Sequence, residues 1–317
     1  MKKSLLALAV LSAFAGAASA QSSVTLSGGI DAAIQRVNGQ WNMSTGNSGR
    51  TNFTLSGRED LGGGMAAFFA MNYRFNQGTG QSTTTSTASS FWRQTWIGLS
   101  GGFGDVRLGR MLPVLQEFNG GFDPFGTETV GSTHSGGLNA GLAGNARINN
   151  AIYYRSPSLG GLQVHANIAA GDQNLVSGGA FVGGSERPIG FGAQYAAGPL
   201  KLVAAYDRNA RDEKTKGIYG SFAFGNTTLM AQYENGDVGA SDQTVYAIGA
   251  RVAMGAATLK AGYRNNSDAE QKKLGLGVDY NLSKRTVVYA DMAKQSGDGY
   301  STAAKKTQFD VGIWHKF

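Results

Sequence analysis

The sequence predicts an all-β fold, a 16-stranded antiparallel barrel crossing a bacterial outer membrane. Three observations predict it. The last ten residues alternate: Phe309, Val311, Ile313, His315 and the terminal Phe317 share one face, and Gln308, Asp310, Gly312, Trp314 and Lys316 share the other. Successive side chains on a strand point to opposite faces, so the chain ends on an amphipathic strand with an aromatic carboxyl terminus. The start reads as a secretory leader over residues 1–20: Lys2 and Lys3, an apolar run over 5–14, then the A-x-A site Ala18-Ser19-Ala20. Between the two lie short amphipathic segments whose connections alternate between short and long.

Taken in order, the outward sets are Val24, Leu26, Gly28 and Ile30; Phe53 and Leu55; Ala67, Phe69, Met71 and Tyr73; Trp96 and Gly98; Val106 and Leu108; Ile152 and Tyr154; Leu162, Val164, Ala166 and Ile168; Ile189, Phe191, Ala193 and Tyr195. Then follow Leu200, Leu202, Ala204 and Tyr206; Ile218, Gly220, Phe222 and Phe224; Leu229, Ala231 and Tyr233; Tyr246, Ile248, Ala250 and Val252; Leu259, Ala261 and Tyr263; Leu274, Leu276, Val278 and Tyr280; Val288, Ala290 and Met292; and the terminal strand. Short joints fall near 60–64, 100–105, 156–161, 197–199, 224–226, 255–257 and 282–285, and long ones near 37–50, 76–90, 111–146, 171–187, 207–217, 234–243, 264–272 and 294–307. Both termini lie on the short-joint side, the plan of a barrel with periplasmic turns and external loops. Closure pairs 309–317 with 24–30 and leaves no sheet edge in the bilayer.

Composition agrees. The 317 residues contain 48 Gly, 16 Phe, 12 Tyr and only 5 Pro, which suits many strands, tight turns and aromatic girdles. No second run of about 20 apolar residues offers a helical span. There is no cysteine and the three histidines are scattered, so no disulfide, Cys/His metal site or cofactor is expected. The formal charge of +7 is dispersed, with no basic run beyond two residues, which argues against nucleic acid as a partner. The opposite face of the strands carries Thr25, Ser27, Asp31, Arg58, Asn72, Arg74 and Arg93. Sixteen strands enclose a lumen too wide for side chains to fill, so a polar inner face implies water inside.

Several stretches resemble the general trimeric porins of Gram-negative outer membranes, in their β-proteobacterial branch. They are S-S-V-T-L-S-G-G-I-D-A-A-I at 22–34, R-E-D-L-G-G-G-M at 58–65, R-Q-T-W-I-G-L-S-G-G-F-G-D-V-R-L-G-R at 93–110, N-N-A-I-Y-Y-R-S-P-S-L-G-G-L-Q-V at 149–164 and the closing G-I-W-H-K-F. The resemblance implies a homotrimer of barrels embedded in outer-membrane lipid and lipopolysaccharide, passing small hydrophilic solutes and inorganic ions. It also implies that the third loop, 111–146, folds into the lumen and narrows it. The apolar Phe118, Phe122 and Phe125 in that loop need a wall to pack on. L-Q-E-F-N-G-G at 115–121 is similar to the family's acidic loop motif, with Gln116 and Asn119 departing from it. The implied constriction sets Glu117, with Asp123 or Glu128, against wall arginines. Arg93 and Arg147 match two of these by position. The third falls at Ser56, with Arg58 two residues on, and Arg74 is inward by parity alone. Basic residues outnumber the loop acids, so anion preference is expected. The second loop, which reaches a neighbouring subunit in the family, has no charge over 76–90, and Arg110 lacks its usual acidic partner. Phe317 is similar to the family's assembly signal.

A channel dedicated to a sugar or an organic anion is the alternative; an aromatic slide or extra lumen arginines would favour it. An enzyme is not expected, because no G-x-S-x-G and no carboxylate–histidine spacing accompany His134, His165 and His315. A β-solenoid adhesin requires a fixed repeat, and none is visible.

Overall fold

The computed structural model describes residues 23–44, 51–82, 92–127, 129–134, 147–170, 174–177, 180–183, 186–238 and 241–317. The expected leader over 1–20, Glu128 and 135–146 lie outside these. Sixteen strands form the barrel: β1 (Ser23–Val37), β2 (Asn52–Gly62), β3 (Met65–Arg74), β4 (Gln94–Gly101), β5 (Gly104–Met111), β6 (Ile148–Arg155), β7 (Leu162–Ala169), β8 (Ile189–Ala197), β9 (Leu200–Arg208), β10 (Lys214–Phe224), β11 (Thr227–Val238), β12 (Ser241–Met254), β13 (Ala257–Asn266), β14 (Gln271–Asn281), β15 (Thr286–Ser296) and β16 (Gln308–Lys316). Each pairs antiparallel with its sequence neighbour, and β16 returns to β1. A short strand, Gln40–Ser44, folds back on the far half of β1, and an external hairpin joins Asn174–Ser177 to Ala180–Gly183.

The closing register differs from expectation. β1 is long enough to serve two partners: Ser23–Gly29 faces β2, and Gly29–Arg36 faces β16. Phe317 closes the seam one step further, exchanging two backbone hydrogen bonds of 3.1 Å with Gly28. The shift by half a strand is the stagger that tilted strands need to close a barrel.

The outward rows are apolar and open: Val24 is 67% exposed, Ile248 60% and Val311 59%. Exposed aromatics such as Tyr195, Phe222, Phe224, Tyr280 and Phe317 gather beside the short turns, as at a membrane interface. β4 reverses its expected phase. Ile97 and Leu99 face out, while Trp96 and Gly98 pair with the inward Ala70 and Phe68. Three expected long loops are short: the strands extend to leave only 209–213, 239–240 and 267–270 between them. The polarity read there as loop is instead wall, since an inner face accepts it. Fully buried Glu234, for instance, takes a 2.7 Å hydrogen bond from the Tyr219 hydroxyl.

The apolar core lies inside the barrel. Met111, Val114, Leu115, Phe118 and Phe122 pack on Ile148, Ala151, Tyr153, Ala169, Val203, Ala205 and Tyr219, so the third loop is bedded on the inner wall.

Candidate functional site: the constricted lumen

The loop leaves β5 at Pro113 and forms the helix α1 (Val114–Asn119) and a 3-10 turn (Gly120–Phe122). A helix start exposes unpaired N–H groups. Here the wall satisfies two of them: Val114 N–H donates to Asn167 Oδ1 (3.1 Å) and Leu115 N–H to Asp207 Oδ2 (2.8 Å). Val114, Leu115 and Phe118 turn to the wall, which leaves Glu117 exposed on the opposite side. Phe122 stacks on Tyr219 with ring centroids 5.5 Å apart, and its carbonyl accepts from Gln232 Nε2 (2.9 Å). Arg251 Nε donates to the Pro124 carbonyl (2.6 Å), and the Lys260 ammonium lies 5.1 Å from the centre of the fully buried Phe125 ring. Val130 N–H ends the path on Asp310 Oδ2 (3.0 Å). The segment therefore crosses the inner wall from β7 to β16, and Trp96 of β4 and Met111 of β5 pack against its core.

Glycines on the wall set the depth of this bed. A Cβ at Gly192 would come within 2.7 Å of Val114 and 2.9 Å of Phe118, one at Gly249 within 2.2 Å of Pro124, and one at Gly262 within 2.2 Å of Thr133. The loop lies where these side chains are missing.

The expected site residues divide. Glu117 is the exposed loop acid. Asp123 is not a pore acid: it is 2% exposed and accepts from Thr127 N–H, Ser132 Oγ, Thr133 N–H and Thr133 Oγ1, which pin the loop to itself. Arg58 and Arg74 are inward, in step with Phe68 and Asn52. Arg93 loses its parity argument, because it is in step with the outward Thr95, Ile97 and Leu99 once β4 is phased correctly; its N–H bonds the Asn72 carbonyl (2.8 Å). For Arg147 the count is broken by an extra residue on β6, where Asn150 has φ 50° and both Ile148 and Ala151 face inward; Arg147 itself is buried. Arg110 meets the Asn149 amide oxygen rather than an acid.

Sequence reasoning missed Arg107, Lys201, Arg251 and Lys260, although each stands between outward residues already phased, and Arg155, which follows the outward Tyr154. It missed the anchoring acids Asp207, Glu234 and Asp310 in the same way. Asp105 bridges Arg107 (2.8 Å) and Arg155 (2.6 Å), and Lys260 bridges Asp279 (2.6 Å) and Asp291 (2.9 Å). The lumen acids Asp31, Asp105, Asp207, Glu234, Asp291 and Asp310 are all at most 4% exposed. Arg58 is exposed, the Arg155 side chain is 42% exposed, and Lys201, Arg251 and Arg264 are partly exposed. Burial holds the His134 imidazole of the loop below its usual range, with Glu234 and Asp123 drawing it up and Arg264 pushing it down.

An apolar outer surface, polar inner wall and inward-folded loop define a barrel that opens a water-filled path across an outer membrane. The family model for Gram-negative porins matches residues 7–300, and the chain belongs to that family. It is 33% identical over 362 residues to outer membrane porin protein 32 of Delftia acidovorans, and 29% identical over 391 residues to an outer membrane porin protein of Bordetella pertussis, with both chains fully covered in each case. Among solved structures, the anion-selective porin from Comamonas acidovorans matches with a TM-score of 0.77 and 28% identity, over 94% of this chain and all of that one. The protein is an outer-membrane porin.

Proposed function

We propose that this porin passes small hydrophilic solutes with a preference for anions, works as a homotrimer, and is exported with a leader cleaved after Ala20. The observation that carries the preference is the difference in access between the two signs of charge. Buried lumen acids are consumed by loop N–H groups, hydroxyls and cations, whereas Arg58 and Arg155 face water. Of the lumen acids named above only Glu117 is exposed, so a passing ion meets more accessible guanidinium than carboxylate. The solved relative named as anion-selective supports the same reading.

Reversal potential across a KCl gradient in planar bilayers tests it. Chloride preference is expected, and Arg74→Glu should move the potential toward potassium. Potassium preference in the wild type would refute the reading. Three equal closing steps per insertion would support the trimer, and a mature chain beginning at Gln21 the leader.

A further inference from the structure

The inner wall over β2–β6 carries a second feature. Cross-strand pairing sets Arg58, Phe68, Gly98, Arg107 and Tyr153 in one row across β2–β6, all inward. Trp96 sits two residues along from Gly98 on the same face, and its ring meets Phe68 edge-on with centroids 5.4 Å apart. Gly98 makes room for this pair, since a Cβ there would lie 3.0 Å from Phe68 Cζ. Phe68 and Trp96 both remain partly exposed on the inner face, and Trp96 also packs against the core of the third loop.

The cations around this shelf differ in freedom. Arg107 is fixed: it is bonded to Asp105 and lies 5.0 Å from the Trp96 ring centre and 5.4 Å from that of Tyr153. Arg155 shares the same Asp105. Arg58 is exposed, with the Ser100 hydroxyl (3.2 Å) as its hydrogen-bond partner. An aromatic face in water beside a guanidinium fork that is not committed to a carboxylate matches a flat ring bearing one carboxylate.

We propose that this wall patch is a binding site for aromatic monocarboxylates of the benzoate type, with the ring on Phe68 and Trp96 and the carboxylate on Arg58. The site lies near the short turns, next to the core of the third loop on which Trp96 packs, and Arg107 lies over one face of the Trp96 ring. It rests on the anion-channel reading and narrows it to a solute class.

The test is current block of the purified protein in planar bilayers, with benzoate, cyclohexanecarboxylate and acetate as probes and each trace scaled to its own open-channel current. Benzoate should interrupt the current saturably, at about tenfold lower concentration than acetate. Arg58→Gln should weaken benzoate block about tenfold. Phe68→Leu keeps an apolar side chain but removes the ring, and should erase an advantage of about threefold over cyclohexanecarboxylate. Equal block by benzoate and acetate, or an unchanged benzoate response in Arg58→Gln, overturns the site. Chloride preference with equal block overturns the site alone, whereas potassium preference overturns the channel reading on which it rests.

Discussion

If missing side chains on the wall set the position of the third loop, restoring one should push the loop toward the pore axis. Gly192→Ala places a Cβ 2.7 Å from Val114 Cγ1. Carbon atoms rest at about 3.5–4.0 Å, so the helix must move by about 1 Å. α1 has six residues, about 9 Å of helix at 1.5 Å per residue, so the displacement removes about 9 Å² of the opening. Gly249→Ala starts from 2.2 Å against Pro124, and demands about 1.5 Å. Overpacking of this kind costs about 1–3 kcal/mol, charged to the bed of the loop and not to the hydrogen bonds of the wall. Single-channel conductance should fall in the order wild type, Gly192→Ala, Gly249→Ala. Gly102→Ala, with nothing within 4 Å of its added Cβ, is the control. Unchanged or raised conductance in both variants would refute the reasoning.

Three further outcomes follow from the anchors. Asp207→Ala strands the Leu115 N–H at a buried helix start, a loss of about 1–3 kcal/mol, and should increase sub-conductance flicker; a wild-type trace would contradict it. The seated His134 favours its neutral form, so its contribution to the seat is complete above the ordinary value of about 6.5 and is lost as pH falls through it. Current fluctuations should therefore grow between about pH 7.5 and pH 5.5 and stay level in His134→Gln, while fluctuations independent of pH in the wild type would exclude it. Deleting Phe317 removes two hydrogen bonds to Gly28, about 1 kcal/mol each. That is a small loss for a closed barrel, so a large drop in insertion yield would mark the residue as an assembly signal and a normal yield would not.

Much of the barrel was legible because the bilayer enforces alternation: a strand such as β13 must show Leu259, Ala261 and Tyr263 outward, and the inward Lys260 follows. The wall packing of Phe118, Phe122 and Phe125 was legible for the same reason, since water offers no place for three aromatic rings. Asp123 was not. A sequence does not distinguish a carboxylate that faces the pore from one that accepts its own loop's N–H groups, because both need only proximity and charge. Arg147 was hidden by the extra residue at Asn150, which shifts every parity count made through it.

The phase of β4 failed for a reason that bears on function. Alternation identifies the lipid face only if the inner face is polar, and Trp96 breaks that rule. Along β7–β16 an apolar inward residue has an explanation, because the loop covers it: Val203 and Tyr219 are buried against α1 and Phe122. Phe68 lies outside that cluster and remains partly exposed. Its partners are Trp96, the gap at Gly98 and the neighbouring Arg58, so its ring contributes surface to the channel itself and not to the bed of the loop. Trp96, which misled the sequence reading, thus joins the bed of the loop to this partly exposed ring.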